Sequence, residues 1–327
     1  MRKFVTACSR STAVFALFVL LAAAVFAQTG PGTGSLRLRQ ALDFDADGKA
    51  DYPVFRPGDS NWYIFKTGGG VTIQNWGIPN DDFFTPGDYD GDGKGDISVF
   101  RDSTGVWYRL NSSTNTVTIV QWGTTGDEAV ARDYDGDGKT DIAIARRTGG
   151  NMIWYVFRSS DSQAMVVGWG LSTDYTAPGD YDGDGKFDFC IQRPGPTPTS
   201  TATFYAYLSN GGINITNWGQ SNDIVVPGDY DGDGKTDFAV IREGATPSTP
   251  LRWFIYNSGS GTASVFDWGI TETDLNAQND YDGDGKTDAT IWRDTTGEFW
   301  ILKSTGGNTV VHWGVPNDFP VAGYDTH

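Results

Sequence analysis

Asp88-Tyr89-Asp90-Gly91-Asp92-Gly93-Lys94-Gly95-Asp96 puts four carboxylates into nine residues, and Ile97-Ser98-Val99-Phe100 follows at once. The first part is a tight, Gly-punctuated acidic loop. The second is a β-branched and aromatic run of the kind that forms strands. Nearly the same stretch returns at Asp133, Asp180, Asp229 and Asp280. A variant, Asp43-Phe44-Asp45-Ala46-Asp47-Gly48-Lys49-Ala50-Asp51, begins the series. The third residue of each loop falls at 45, 90, 135, 182, 231 and 282, so the period runs from 45 to 51 residues. A repeat of that length is the first thing to establish in any chain that has one.

Other columns keep the same register. An Arg closes the run after each loop, at Arg56, Arg101, Arg146, Arg193, Arg242 and Arg293. An aromatic pair follows: Trp62-Tyr63, Trp107-Tyr108, Trp154-Tyr155, Phe204-Tyr205, Trp253-Phe254 and Phe299-Trp300. Next comes Trp-Gly, beginning at Trp76, Trp122, Trp169, Trp218, Trp268 and Trp313. Each unit reads as four short strands; in the second they are Phe83–Tyr89, Ile97–Arg101, Val106–Asn111 and Val117–Trp122. Four strands per repeat is the blade of a β-propeller. The fold expected is therefore all-β, with six four-stranded blades and the aromatic columns packed between them. The segment Asp318–Asp325 resembles the strand ahead of each acidic loop and would close the ring beside the first blade, which removes open edges. It ends in a truncated copy, Gly323-Tyr324-Asp325, with no site assigned. Seven blades is the alternative, but residues 28–40 are too few for the three strands it needs.

In the acidic loops, positions 1, 3, 5 and 9 carry carboxylates that can converge on one ion. The Gly at position 6 permits the turn, and the carbonyl at position 7 can add a ligand. Hard oxygen donors in a flexible loop suit calcium. The expected ligands are Asp43, Asp45, Asp47 and Asp51 in the first loop, then Asp88, Asp90, Asp92, Lys94 and Asp96 in the second. Asp133, Asp135, Asp137, Lys139 and Asp141 follow, as do Asp180, Asp182, Asp184, Lys186 and Asp188. The last two sets are Asp229, Asp231, Asp233, Lys235 and Asp237, and Asp280, Asp282, Asp284, Lys286 and Asp288. About six Ca²⁺ are implied. An EF-hand would need Glu at position 12; here stand Val54, Val99, Ile144, Ile191, Val240 and Ile291. A solvated acidic turn fails as an account, because four neighbouring carboxylates repel one another without a cation. These loops hold 24 of the 41 acidic residues.

The loop Asp-Tyr-Asp-Gly-Asp-Gly-Lys-Thr-Asp, the strand after it and the Trp-Tyr pair resemble the FG-GAP/VCBS repeats of exported bacterial proteins, related to the integrin α-subunit propeller. The resemblance covers roughly residues 41–327. It implies a propeller with calcium in its hairpin loops and contact with protein or glycan partners. The first loop departs from the pattern at Phe44 and Ala46 but keeps its four Asp.

The N-terminus reads as an export signal. Met1-Arg2-Lys3 is basic, Ala13 to Phe26 is apolar, and Val25-Phe26-Ala27 offers a cleavage site. The domains expected are a signal peptide over 1–27, a linker over 28–40 able to supply a strand, and the propeller over 41–327. The apolar run is short of the ~20 residues of a spanning helix, so no membrane insertion is expected after cleavage. Cys8 precedes that run, where lipidation is not expected. Cys190 would remain alone and cannot form an internal disulfide; it aligns with Ser98, Ala143, Ala239 and Thr290 and reads as a packed small side chain.

The formal charge is −17, and removal of Arg2, Lys3 and Arg10 makes it more negative. Such a surface disfavours nucleic acid. The expected setting is secreted, extracellular or at the cell surface, with the periplasm as the alternative. Three function classes fit. The first is a monomeric binding or adhesion module for an extracellular protein or glycan. The second is a lectin with one sugar site per blade, and the third a polysaccharide-active enzyme. His312 aligns with variable polar residues, His327 is the last residue, and no Ser/His/Asp or Cys/His set occurs. The chain is accordingly expected to be no enzyme, and the first class is preferred.

Overall fold

The computed structural model describes residues 41–321. The export segment 1–27 with Cys8, the linker 28–40, Gly323-Tyr324-Asp325 and His327 lie outside the described residues. Twenty-four strands form six antiparallel sheets of four, set as blades in a ring. No helix among the described residues is long and apolar enough to cross a membrane.

Burial explains the order of strands within a blade. In the second blade the strands are Asp82–Phe84, Ile97–Arg101, Val106–Leu110 and Val117–Gln121. The second strand is buried on both faces over Ile97–Phe100 because neighbouring blades cover it on each side. The fourth alternates between exposed and half-buried positions and forms the outer edge. First strands of three successive blades line a single cavity, which places them around the axis. They are shorter than expected. Asp82–Phe84 stands where Phe83–Tyr89 was read, because beyond Phe84 the only further bridge is Gly87 with Asp96. From there the acidic loop takes up the backbone N–H groups with its own carboxylates.

The ring closes as expected. Phe319–Pro320 pairs with Tyr52–Arg56 as the innermost strand of the first blade, matching Val54 with Pro320 and Phe55 with Phe319. A salt bridge marks the same junction and every other blade. Arg56 donates to both oxygens of Asp318, each at 2.8 Å. Within the chain, Arg101, Arg146, Arg193, Arg242 and Arg293 hold Asp82, Asp127, Asp174, Asp223 and Asp274 in the same way, always across 19 residues. Each guanidinium also stacks on the second ring of the aromatic pair, as Arg101 does on Tyr108 at 4.3 Å.

The core lies between blades. Trp62, Trp107, Trp154, Phe204 and Trp253 are completely buried and Phe299 nearly so. The Trp-Gly column is half-buried and bonds one blade to the next. Trp122 Nε1 donates to the Tyr155 carbonyl at 3.1 Å, Trp169 to Tyr205 at 3.0 Å, and Trp313 back to Tyr63 at 3.0 Å. Both columns therefore have packing roles. Cys190 is fully buried and its thiol is pushed up by burial, consistent with a packed side chain. His312 is exposed, with Nδ1 2.7 Å from Glu298.

Candidate metal centres

Five of the acidic loops link the first and second strands of their blades, and the first leads directly into Tyr52–Arg56, whose inner neighbour comes from the C-terminal end of the chain. Positive backbone angles are required at positions 4 and 6, where Gly91 has φ +81° and Gly93 φ +85°. The first loop achieves the same turn with Ala46 at φ +63°. The turn wraps around the position-1 carboxylate. Asp88 Oδ1 accepts from Gly91 N–H at 2.6 Å and Oδ2 from Gly93 N–H at 2.9 Å. The position-9 carboxylate staples the loop to the strands. Asp96 Oδ2 accepts from Tyr89 N–H at 2.9 Å, and Oδ1 accepts from Ser112 N–H at 2.6 Å.

The result is a convergent oxygen site. Carboxylates at positions 1, 3 and 9 offer oxygens within 4.8 Å of one another in Asp43/Asp45/Asp51, Asp88/Asp90/Asp96, Asp133/Asp135/Asp141, Asp180/Asp182/Asp188 and Asp229/Asp231/Asp237. The sixth loop makes the same hydrogen bonds, Asp280 with Gly283 and Gly285, Asp288 with Tyr281 and Ser304. Position 5 stands slightly apart. Asp92 Oδ1 accepts from Lys94 N–H at 2.9 Å and from Ser112 Oγ at 3.0 Å. Asp47, Asp137, Asp184, Asp233 and Asp284 likewise accept the N–H of the following Lys. The Lys side chains turn to the preceding loop: Lys139 lies over Gly91, Lys186 over Gly136, Lys235 over Gly183 and Lys286 over Gly232.

Sequence reasoning missed a second contribution. A small polar pair in the hairpin between the third and fourth strands leans onto each loop. Ser112-Ser113 meets Asp92, Asp96 and Asp90, with Ser113 Oγ donating to Asp90 at 2.7 Å. Thr67-Gly68, Ser159-Ser160, Ser209-Asn210, Ser258-Gly259 and Ser304-Thr305 do the same in the other blades. The loops are also joined to each other. The position-8 N–H of one donates to the position-1 carbonyl of the one before, as Thr140 does to Asp88 at 2.7 Å. Ala50 to Asp280 at 2.8 Å completes the circle.

Burial sets the electrostatics. The position-9 residues are completely buried. Desolvation pushes Asp51, Asp96 and Asp288 up to about 6, and Asp141, Asp188 and Asp237 up to about 7, against the backbone hydrogen bonds that pull them down. Asp180 and Asp229 rise to about 6 for the same reason. Carboxylates this crowded resist joint ionisation. A bound cation would reverse that, and the donors on offer are all oxygen. Asp282 Oδ1 is buried with no hydrogen-bond partner, a lone pair that a cation would satisfy.

Residues 133–191 match the family model described as FG-GAP-like repeat. The stretch holds the third and fourth acidic loops and ends in the second strand of the fourth blade, and the other four copies keep the same columns in the same ring. This β-propeller thus carries an FG-GAP-like repeat. Among curated proteins, none matches it. Solved structures similar to this propeller include a streptogramin B lyase, with 10% identity, TM-score 0.47, and 86% of this chain and 87% of that chain covered. A virginiamycin B lyase from Staphylococcus aureus has 10% identity, TM-score 0.45 and coverage of 83% and 86%. A putative 6-phosphogluconolactonase from Bacteroides uniformis has 10% identity, TM-score 0.45 and coverage of 84% and 99%. The expectation that the chain is no enzyme does not stand, because the lack of a Ser/His/Asp or Cys/His set does not exclude other chemistry on a propeller. At 10% identity the solved structures named above assign no activity to this chain.

Proposed function

We propose that this FG-GAP-repeat propeller is a calcium-loaded binding scaffold that works outside the cytoplasm, as a monomer, on an extracellular protein or glycan. The observation that carries the metal is the convergence of positions 1, 3 and 9 within 4.8 Å, with positions 1 and 9 buried. Several carboxylates buried together are costly unless a cation neutralises them. All-oxygen donors on a flexible loop favour calcium over zinc or copper, which prefer nitrogen or sulfur. Positions 1, 3 and 9 would bind directly. Position 5 and the hairpin hydroxyls would orient them, and each Lys would offset the charge of the neighbouring loop.

Export is supported by the basic start and the apolar run of residues 13–26. A protein partner or glycan fits the formal charge of −17 better than nucleic acid does. The test is metal analysis of the purified protein dialysed against calcium, with melting curves in calcium and in excess chelator. Each site that binds only the folded ring adds about 2.7 kcal/mol when free calcium is 100 times its Kd. A large fall in melting temperature on chelation is expected. Identical melting curves, or no calcium after dialysis, would overturn the proposal.

A further inference from the structure

In the third blade two charged residues break the repeat together. After the Asp that pairs with Arg, the first strands carry Phe83, Glu128, Tyr175, Ile224, Leu275 and Phe319, and only Glu128 is charged. After the Arg itself stand Pro57, Asp102, Arg147, Pro194, Glu243 and Asp294, and Arg147 is the one cation. Both exceptions fall in the third blade and they meet. Arg147 Nη1 lies 2.5 Å from Glu128 Oε2, and its Nη2 donates to the Asp174 carbonyl at 3.0 Å. Thr176 of the fourth blade donates its hydroxyl to Glu128 Oε1. The pair is thus fixed between two blades and remains about a quarter to a third exposed.

Glu128 and Arg147 line a cavity of about 400 Å³ at the axis, together with Phe83, Phe84, Tyr175 and Arg132. That volume is in the ~300–1,000 Å³ range of small-molecule sites. Phe83 and Tyr175 keep about two-fifths of their surface exposed. Apolar surface dominates the lining, and the Glu128–Arg147 pair is set into it beside Asp102, Asp127 and Arg132.

We propose that this cavity binds a single sugar residue of a glycan. A wholly apolar ligand would strip water from the Glu128–Arg147 pair and return no hydrogen bonds. A strongly anionic ligand would meet Glu128 and Asp102 as well as the two arginines. A neutral vicinal diol fits both members of the pair. One hydroxyl can donate to the carboxylate, which only accepts, while its neighbour accepts from the guanidinium, which only donates. The aromatic rings of Phe83 and Tyr175 then offer faces for the C–H side of the ring. This deepens the glycan arm of the function proposed above and relies on it only for where the ligand is met.

The repeat itself supplies the test variants. Glu128→Ile installs the residue found at the matching place in the fifth blade, Ile224, and Tyr175→Leu installs that of the sixth, Leu275. The calcium-loaded protein is titrated with methyl glycosides of glucose, galactose, mannose and fucose, and with galacturonic acid, by saturation-transfer NMR and calorimetry. At least one neutral glycoside is expected to bind, and Glu128→Ile is expected to weaken it about tenfold or more. Tyr175→Leu should weaken it as well while leaving the ion pair intact, so the outcome does not hang on one variant's folding. Failure of every neutral glycoside, or undiminished binding by both variants, overturns the proposal. So does binding of galacturonic acid alone, which would make the cavity an anion site. Parallel melts in calcium and chelator separate this result from the fate of the calcium scaffold.

Discussion

The position-9 carboxylates predict that the pH dependence of stability changes sign with calcium. In the metal-free ring, Asp51, Asp96 and Asp288 sit at about 6 and Asp141, Asp188 and Asp237 at about 7, raised by burial from the ordinary 3.8. A group whose folded value is raised contributes stability that is full below the unfolded value and is lost as pH climbs through the folded one. The metal-free ring should therefore weaken between about pH 4 and pH 7. A rise from 3.8 to about 6 is on the order of 3 kcal/mol for one wholly buried group, as an upper bound. The six sites repeat around the ring, and their effects need not add. Even two groups acting fully would give about 6 kcal/mol. At roughly 2 °C per kcal/mol for a chain of this size, metal-stripped protein should melt on the order of 10 °C higher near pH 4 than near pH 8. Calcium reverses the slope. The ion requires ionised ligands, so protons compete with it, and the loaded ring should be most stable near pH 8 and lose stability toward pH 5. The assay is calorimetric melting of metal-stripped protein across this range, repeated with millimolar calcium. Parallel slopes in the two series would refute the reasoning, because they would mean that the buried carboxylates neither titrate in this range nor hold the ion.

Three further outcomes follow from the same geometry. Ala46→Gly should stabilise the ring by about 0.5–1 kcal/mol, because Ala46 alone takes the left-handed conformation that Gly supplies in the other loops; a thermal melt reads it. Asp318→Ala removes both hydrogen bonds to Arg56 and one from Val315 N–H at 2.9 Å. Because the guanidinium is 30% exposed, the cost is expected at about 2–3 kcal/mol, with faster proteolysis at the C-terminus than in Asp127→Ala, which breaks the matching bridge inside the chain. Trp122→Phe should lose about 1 kcal/mol with its hydrogen bond to Tyr155, and Trp122→Ala about 3–5 kcal/mol as packing against Phe157 goes too; similar melts for the two variants would argue against an interblade role.

The features legible in the sequence were those present in every copy. Each acidic loop declares its turn through Gly and its destination through the β-branched residue at position 12. The Trp columns declare burial through size. Even closure was readable, because Phe319–Pro320 stands in the register of the other first strands. The Asp partner of each Arg was equally periodic, 19 residues upstream in five copies. It escaped notice because an acidic residue in a turn looks solvated until the chain folds it beneath a guanidinium. The hairpin pairs such as Ser112-Ser113 escaped for a related reason. Small polar residues are ordinary in hairpins, and only the fold brings them over a loop some twenty residues away. The first strands were overread because Phe83–Tyr89 is apolar enough for a strand, while its last residues are claimed by carboxylates instead of a neighbouring strand.

Glu128 and Arg147 were missed for the opposite reason. Aligning six copies highlights what recurs and averages away what occurs once. In a ring of this kind the recurring columns maintain the frame: buried Trp against the next blade, Arg on Asp, and loop on loop. Stability is then shared among near-equivalent interfaces, so a single blade can depart from the pattern at modest cost. The column just after the buried Asp shows this freedom most clearly. The Asp is identical in all six blades, while its neighbour is Phe, Glu, Tyr, Ile, Leu and Phe. Four of the six neighbours, Phe83, Tyr175, Leu275 and Phe319, keep about two-fifths to a half of their surface exposed despite being apolar or aromatic. A position that the frame does not constrain, that lies beside the axis and that carries exposed aromatic and charged side chains is where a repeat protein can acquire recognition without risking its fold.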